Sequence, residues 1–198
     1  MIEVVDLESE SFEHLKHAAS FDDETFRNVM KAYGQDVWNY AFAMTRNRHD
    51  ADDVVQSTFI KCHAAVGSFR GQSSFRTWLF AIARNTAFNA RKTAYWRRVI
   101  PSSLLSGADD SGPSSPSAEQ TVLDRLVEGT LWEKLLLLPP KYREPLLLDA
   151  VYELKQHEIA EVLGLSVGGV KTRLSRARDK MQKLLREGDA HDGAWIRE

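Results

Sequence analysis

The sequence has a single cysteine, Cys62, and therefore cannot form a disulfide within the chain. Its six histidines are scattered, and no cysteine and histidine grouping has the spacing of a structural zinc site. No run approaches the roughly 18 to 20 apolar residues that would span a bilayer. The acidic, polar start of the chain also lacks the basic and apolar regions of a signal peptide. We therefore expect a cytoplasmic protein without metal or cofactor, with Cys62 as a small core residue rather than a redox sensor.

Net charge is also small, at -2, but the charges are distributed unevenly along the chain. Residues 1–36 carry nine acids and three bases, whereas residues 69–98 carry seven bases and no acid. Residues 166–186 carry seven bases and one acid, Asp179. Two separated basic blocks indicate two separate contacts with a polyanion.

A segment poor in large apolar residues lies between the two basic blocks. Residues 101–120 contain seven Ser, three Pro and two Gly, a composition that cannot repay the entropy of ordering itself. Elsewhere the spacing of apolar residues is helical, and no segment alternates for long with the period of a strand. The sequence therefore predicts an all-α fold with two small helical domains, and chain ends that are disordered or else regulatory contacts. The predicted parts are a tail at 1–20, a first domain at 21–98, a flexible linker at 99–118, a second domain at 119–186 and a second tail at 187–198.

Two helices of the first domain have recognisable caps. Asp50 is the predicted N-cap of one helix, with Asp52 and Asp53 in its first turn, where the helix dipole favours negative charge. Gly67 is predicted to end this helix, and Ser74 to cap the next one. The predicted buried stripes are Ala51, Val54, Val55, Phe59, Cys62 and Val66 in the first helix, and Phe75, Trp78, Leu79, Ile82 and Thr86 in the second.

The other face of that second helix interleaves positive and aromatic side chains at spacings of three or four. Its members are Arg76, Phe80, Arg84, Phe88, Arg91, Tyr95 and Arg98. Such a face suits single-stranded nucleic acid, because guanidinium groups contact phosphates and flat rings stack on unpaired bases. A solvated basic surface, with Phe80 and Phe88 packed on a neighbouring helix, explains the pattern equally well.

The second domain contains a predicted helix-turn-helix between Gln156 and Leu185. Its first helix ends at Leu163, Gly164 supplies the turn, and Ser166 caps the second helix. A basic second helix after a glycine turn is typical of duplex recognition, although a plain helical hairpin with a charged surface is the alternative. The predicted buried stripe of the second helix is Val170, Leu174, Ala177, Met181 and Leu184. Two further helices are predicted upstream, at 121–138, where Pro139 and Pro140 end the helix, and at 141–152.

Three motifs in register carry a family resemblance: DADDVVQSTF at 50–59, FRGQSSFRTWLFAIARN at 69–85 and IAEVLGLSVGGVKTRLSRAR at 159–178. Together with the linker they closely resemble the extracytoplasmic-function (ECF) sigma factors of bacterial RNA polymerase. This resemblance, not the periodicity, implies that the first domain binds the clamp helices of the largest polymerase subunit and melts the minus-ten promoter element. It implies that the second domain reads the minus-thirty-five element as duplex, that an anti-sigma factor controls the protein, and that the chain is not an enzyme.

The resemblance also assigns site residues in the first domain. The loop at 69–73 would capture a flipped non-template base, with Gln72 and Ser73 as hydrogen-bonding groups and Arg70 holding the backbone. Trp96 would be a wedge at the end of the melted region or, alternatively, an aromatic residue that caps a frayed helix end. The implied minus-ten and melting residues are Phe69, Arg70, Gln72, Ser73, Arg84, Asn85, Phe88, Asn89, Arg91, Lys92, Trp96 and Arg97. The implied polymerase-binding residues are Asp50, Asp52, Asp53, Gln56 and Phe59, although ordinary helix capping explains the acids too.

In the second domain, the resemblance places the N-terminal part of the second helix of the helix-turn-helix in the major groove. Gly169 departs from the family pattern, where many relatives carry Thr, and indicates either a close backbone approach to DNA or a lack of constraint. The implied minus-thirty-five residues are Ser166, Gly169, Lys171, Thr172, Arg173, Ser175 and Arg176.

Two other classes of function fit parts of the sequence. A regulator unrelated to sigma factors could use the helix-turn-helix as a dimer on a palindrome, and it would bind duplex tightly without polymerase. A nuclease could use Asp50, Asp52 and Asp53 with a metal ion, but no paired base or further ligand is evident nearby.

Overall fold

The computed structural model describes residues 12–99 and 130–192, and this part of the chain consists of helices and short connections. The predicted all-α class is confirmed. The linker predicted at 99–118 lies outside the described residues except for Val99, as does the predicted start of the helix at 121–138. The α-helices are α1 (Asp23–Thr45), α2 (Arg48–Ala65), α3 (Phe75–Val99), α4 (Thr130–Leu137), α5 (Pro140–Ala150), α6 (Gln156–Leu163) and α7 (Val167–Asp192), and the short 3-10 helices are Phe12–His17 and Val66–Ser68.

Helix α2 begins earlier than the sequence analysis expected. Asn47 is its N-cap: the Asn47 backbone is extended, and its side-chain oxygen accepts a hydrogen bond from the Asp50 N–H at 3.0 Å. Asn and Asp cap helices equally well, so the left-handed Arg46 between α1 and α2 (φ 58°) decides which one is used. Asp50 is therefore a first-turn residue, and Asp52 and Asp53 lie in the second turn, beyond the strongest part of the helix dipole.

The first domain extends further toward the N-terminus than residue 21. The 3-10 helix Phe12–His17 buries Phe12 and Leu15, and the Phe12 ring lies 5.6 Å from that of Phe75. A Cβ on Gly67 would come within 2.8 Å of the Ala19 carbonyl oxygen, so only glycine fits at this approach. Residues 12–20 are thus part of the domain and not a tail.

The helix-turn-helix has the predicted caps, and its first helix has the predicted bounds. Helix α6 ends at Gly164, whose φ of 62° is in the left-handed region, and the Ser166 side chain caps α7 by accepting from the Gly169 N–H at 3.1 Å. The predicted stripe of α7 is buried from Val170 to Met181, with Leu184 half-buried. The helix continues to Asp192, beyond its predicted end.

The two domains pack against each other, α3 against α6 and α1 against α5. The buried Phe80 ring lies between two tyrosines, 5.5 Å from the Tyr40 ring and 4.5 Å from the Tyr152 ring. Of the aromatic residues on the predicted basic face of α3, Phe80 is therefore a domain-interface residue, whereas Phe88 is 59% exposed.

Arg143 is a buried cation at the same interface. Its guanidinium donates two hydrogen bonds to the Leu138 carbonyl, at 3.1 and 3.2 Å, and another across the interface to the Ala43 carbonyl. Both carbonyls lie at or just beyond the C-terminal ends of helices, where backbone acceptors lack helical partners and the dipole favours a cation. Burial, with the nearby charges of Arg46 and Arg91, lowers the pKa of Arg143 to about 10.

Candidate nucleic-acid interface

The loop at 69–73 has a buried base and an exposed rim. Phe69 is buried, with its ring 5.6 Å from Phe75 and 5.4 Å from Trp78, so it supports the loop from within. Arg70 and Gln72 are exposed. The loop ends at Ser74, whose side chain caps α3 as predicted by accepting from the Thr77 N–H at 3.1 Å. Arg70 and Gln72 are therefore the loop side chains that reach solvent most freely.

Carboxylates of α6 contact the end of this loop and the start of α3. Ser73 donates to Glu161 at 2.8 Å, and Thr77 and Ser74 donate to Glu158 at 2.7 and 3.1 Å. Partial burial raises the pKa of Glu158, but hydrogen bonds from the Lys155 N–H and the two hydroxyls outweigh it and hold that pKa below its ordinary value. The second domain thus covers Ser73 with acidic side chains.

The exposed side of α3 carries the remaining predicted residues of the first domain. Asn85, Phe88, Asn89 and Lys92 occupy positions i, i+3, i+4 and i+7 of the helix, so they share one face, and all four are exposed. Arg91, on an adjacent line, is exposed as well. Trp96 and Arg97 lie in the part of α3 whose side chains are outside the description.

Arg84 differs from these neighbours because it is paired with an acid of the second domain. Its Nε donates to Glu144 Oε1 at 3.1 Å, and the same oxygen accepts from the Tyr40 hydroxyl at 2.7 Å. Burial, followed by the charge and hydrogen bond of Glu144, raises the pKa of Tyr40 well above its ordinary value, so this hydroxyl is a donor at any physiological pH.

The solvent-facing side of α7 carries basic and polar side chains near its N-terminal end. Lys171, Thr172, Ser175 and Arg176 are exposed and Arg173 is half-buried. Gly169 has a local role, because a Cβ there would lie 3.3 Å from the Ser166 oxygen that caps the helix. The basic and polar side chains at the N-terminal end of α7 are therefore presented to solvent together.

An apolar groove of about 330 Å³ runs between α1 and α2. Asp52 lies at its edge and accepts a hydrogen bond from the Trp38 indole at 2.7 Å. Two large apolar side chains at this groove are open to solvent, Ile60 (62% exposed) and Met30 (36%). The predicted polymerase residues Asp52, Gln56 and Phe59 all line it, with Phe26, Met30, Trp38, Val55 and Ile60. Asp50 and Asp53 are not among its lining residues.

Metal-binding groups and membrane-spanning helices are absent from the described part of the chain. No group of three or more His, Cys, Asp and Glu residues there could hold a metal ion. Among the described helices, none combines the length and the apolar composition that a bilayer crossing requires. Cys62 is a core residue as predicted, and burial raises the pKa of its thiol to about 12.

Fold and surface together define a class: a two-domain helical protein with a basic helix-turn-helix in one domain and a basic, aromatic-bearing helix in the other. Residues 29–97 match the family Sigma-70 region 2, and residues 129–181 match Sigma-70, region 4. Together with the relatives described next, these two matches show that the chain belongs to the ECF sigma factors, which direct bacterial RNA polymerase core to specific promoters and help to open the minus-ten element.

Similar proteins support this assignment over most of the chain. The chain is 35% identical to RNA polymerase sigma factor YlaC of Bacillus subtilis, over 85% of this chain and 94% of the relative. It is 30% identical to ECF RNA polymerase sigma factor SigW of the same organism, over 87% and 95%. Among solved structures it resembles the sigma factor RpoE in complex with the anti-sigma factor NepR from Bartonella quintana. That match has a TM-score of 0.62 and 25% identity, and covers 82% of this chain and 98% of that one.

Sequence reasoning did not identify the polar residues that hold the two domains together. Of the apolar residues that line the groove it found Val55 and Phe59 but not Phe26, Met30, Trp38 and Ile60. Tyr40, Glu144 and Glu158 are single polar residues in helices, and no local pattern distinguishes them. Ile60 could have been found from the sequence, because it is a large apolar residue that lies outside the predicted buried stripe of α2.

Proposed function

We propose that this sigma factor divides promoter recognition between its two domains, with single-strand contacts on α3 and duplex contacts on α7. The observation that carries this proposal is the presence of two basic, polar surfaces on separate domains joined by residues 100–129. The first combines an aromatic ring with amides and cations, as single-strand binding requires, and the second is the exposed side of a helix-turn-helix.

In the first domain, the loop at 69–73 captures a flipped base of the non-template strand. Gln72 and Ser73 hydrogen-bond its edge and Arg70 contacts the backbone, while Phe69 supports the loop from the core. The released strand then follows the exposed side of α3, where Phe88 offers a stacking surface. Asn85, Asn89, Arg84, Arg91, Lys92, Trp96 and Arg97 complete this proposed melting surface.

In the second domain, the N-terminal end of α7 enters the major groove of the minus-thirty-five element. Lys171, Arg173 and Arg176 supply phosphate or guanine contacts, and Thr172 and Ser175 adaptable ones. Ser166 and Gly169 shape the start of the helix, where backbone N–H groups favour a phosphate.

Polymerase core binds along α2 in this proposal. The groove between α1 and α2 accepts apolar side chains of the clamp helices. The carboxylates of Asp50, Asp52 and Asp53 pair with basic residues of the polymerase. The exposed Ile60 and Met30 support the choice of this surface, because large apolar side chains open to solvent mark interaction sites.

Three broader statements complete the proposal. The chain acts without chemistry of its own, as a binding subunit. It works in the cytoplasm, where polymerase is found. An anti-sigma factor controls it, in line with the complex of its structural relative with NepR.

Run-off transcription with purified core polymerase on a promoter library tests the function. We expect the added protein to produce new, discrete start sites, and core polymerase alone to produce none of them. If the same start sites appear with and without the protein, the proposal is wrong.

A further inference from the structure

One carboxylate oxygen of the second domain accepts hydrogen bonds from two donors of the first domain. Glu144 Oε1 lies 2.7 Å from the Tyr40 hydroxyl and 3.1 Å from Arg84 Nε, so a single anionic oxygen receives both donors. Tyr40 comes from α1, Arg84 from α3 and Glu144 from α5. The two donors therefore belong to one domain, whereas the acid that satisfies them reaches across the domain interface.

The surroundings of this position are strongly positive. Arg46 and Arg91 are close enough to Arg143 to lower its pKa, and Arg143 is the residue immediately before Glu144. Two of the nearby arginines, Arg84 and Arg91, line the same small cleft as the Glu144 carboxylate. If Glu144 moved away with its domain, Tyr40 and Arg84 would lose their shared acceptor while Arg91 stayed beside them, and such a group of donors and cations attracts an outside anion.

The position also lies on the surface proposed to receive the melted strand. Arg84 and Phe88 are one helical turn apart on α3, and both line the same small cleft with Tyr40, Met44, Ala87, Arg91 and Glu144. Phe88 exposes most of its ring beside the two donors. A ring for a base and a guanidinium with a hydroxyl for an oxyanion are the two parts of a nucleotide site.

We propose that Tyr40 and Arg84 form a binding site for a backbone phosphate of unpaired DNA, and that Glu144 occupies this site as an internal competitor while the domains are packed together. This inference rests on the proposed function, because it places the phosphate in the strand that α3 receives. A phosphate fits the donors because Arg and hydroxyl groups are frequent partners of DNA phosphate oxygens. Binding of the strand and separation of the domains are then coupled, since each phosphate that enters must displace Glu144.

The test measures binding of a short fluorescein-labelled oligothymidine to the full-length protein by fluorescence anisotropy at low salt. Glu144→Ala removes the competitor, and we expect affinity to rise about tenfold, as removal of one charge-assisted contact allows. Glu133→Ala is the matched control, because Glu133 is an exposed glutamate of α4 and its loss changes the net charge equally. It should leave the affinity near that of the unmodified protein.

The second variant tests whether the gain in oligothymidine affinity depends on the proposed donors. In Tyr40→Phe/Glu144→Ala the ring packing on Phe80 is kept and only the hydroxyl is lost, so most of the gain should disappear. An oligothymidine with neutral methylphosphonate linkages should bind the Glu144→Ala and Glu133→Ala variants alike. Circular dichroism of each variant establishes that the helices are intact.

Three results would overturn the site: equal affinities of the Glu144→Ala and Glu133→Ala variants, a gain that persists without the Tyr40 hydroxyl, or a gain that persists on the neutral backbone. The run-off experiment distinguishes this from failure of the proposed function. New start sites with the unmodified protein, together with any of these three results, would reject the phosphate site and leave the sigma-factor assignment intact. Absence of start sites would reject the proposed function itself.

Discussion

The two proposed DNA surfaces of this sigma factor differ in how many of their side chains are bonded to the other domain. On α7 the side chains nearest the N-terminal end are exposed, and the first domain supplies no partner for them among the described contacts. On the first domain Ser73 is held by Glu161, and Arg84 is held by Glu144. With the domains packed as described, duplex recognition is available while part of the melting surface is occupied.

This difference indicates an order of events. A protein in this arrangement can approach a minus-thirty-five element without rearrangement, but full contact with a melted strand requires α6 and α5 to leave the first domain. Neutral hydrogen bonds contribute about 0.5 to 1.5 kcal/mol each, and those to charged groups about 1.5 to 3. The interface also contains the packing of Phe80 on Tyr152 and the Arg143 bond to the Ala43 carbonyl, so we expect separation to need the combined binding energy of polymerase and DNA.

The largest effect should come from Arg143→Met, which removes the guanidinium that crosses the interface. The carbonyls of Leu138 and Ala43 lose their donor in a buried setting, so we expect the free energy of unfolding to fall by about 2 to 4 kcal/mol. Urea denaturation followed by circular dichroism measures this. Arg178→Met is the control: it breaks the exposed pair with Asp149 and should cost about 0 to 1 kcal/mol. Similar losses in both variants would contradict a special role for the buried cation.

Next in size is the effect of Arg176→Ala on duplex binding. Loss of a base or phosphate contact in the major groove should weaken binding of holoenzyme to a minus-thirty-five duplex by about 1 to 2 kcal/mol, which is about five- to thirtyfold. Gel retardation measures the change. Arg186→Ala, an exposed arginine further along α7, should have little effect. An equal loss in both variants would show that only overall charge matters.

Asn85→Ala should impair strand opening and not duplex binding, and its effect should be similar to that of Arg176→Ala or smaller. It removes an amide from the exposed side of α3, so strand opening, followed by permanganate reactivity of unpaired thymines, should fall several-fold while duplex binding changes little. A template with a premelted bubble should restore transcription. If Arg176→Ala and Asn85→Ala impaired duplex binding and opening equally, the division of labour between the domains would be lost.

The smallest predicted effect is a pH dependence of the domain contact. The hydrogen bonds to Glu158 hold its pKa below the ordinary value of 4.5, so the stabilisation they give is fully present above that pH. It is lost as the pH falls through the depressed pKa. Small-angle scattering should therefore give a constant radius of gyration from neutral pH down to about 5, and a rise only in more acidic solution.

Glu158→Gln separates this group from the other acids that titrate in the same range. The amide can still accept from Ser74 and Thr77, but it does not titrate, so part of the acidic rise should disappear. An unchanged acid response in this variant would assign the expansion to other carboxylates.

How much of this could be predicted from the sequence depends on how local the cause is. The turn, the caps and the buried stripe of the helix-turn-helix could be predicted, because Gly164, Ser166 and the apolar residues of α7 act within a few positions of each other, whereas the far end of α7 could not. The N-cap of α2 could not be predicted in this way. Asn47 and Asp50 are both good caps, and the left-handed turn at Arg46 decides that Asn47 is used. The class of protein came from motifs that the family matches confirm, while the individual contact residues remain proposals.

The contacts between the domains were beyond sequence reasoning for a physical reason. Tyr40 and Glu144 are 104 positions apart, and their meeting depends on how two bodies dock. The same docking decides that Phe80 is buried and Phe88 is exposed, although both lie on one periodic face. Periodicity identifies a face, but the neighbour that covers it is a property of the tertiary structure.

The close approach of Gly67 to Ala19 has a practical consequence for anyone who cuts this chain into fragments. Hydrophobic periodicity would place the start of an expression fragment near residue 21, but such a fragment would lose the buried Leu15 and the Phe12 ring that packs on Phe75. Lys16 also packs against Gly71, the left-handed glycine at the centre of that loop. A usable fragment of the first domain must therefore begin before residue 12, and an affinity tag is better placed upstream of that point than at the apparent domain boundary.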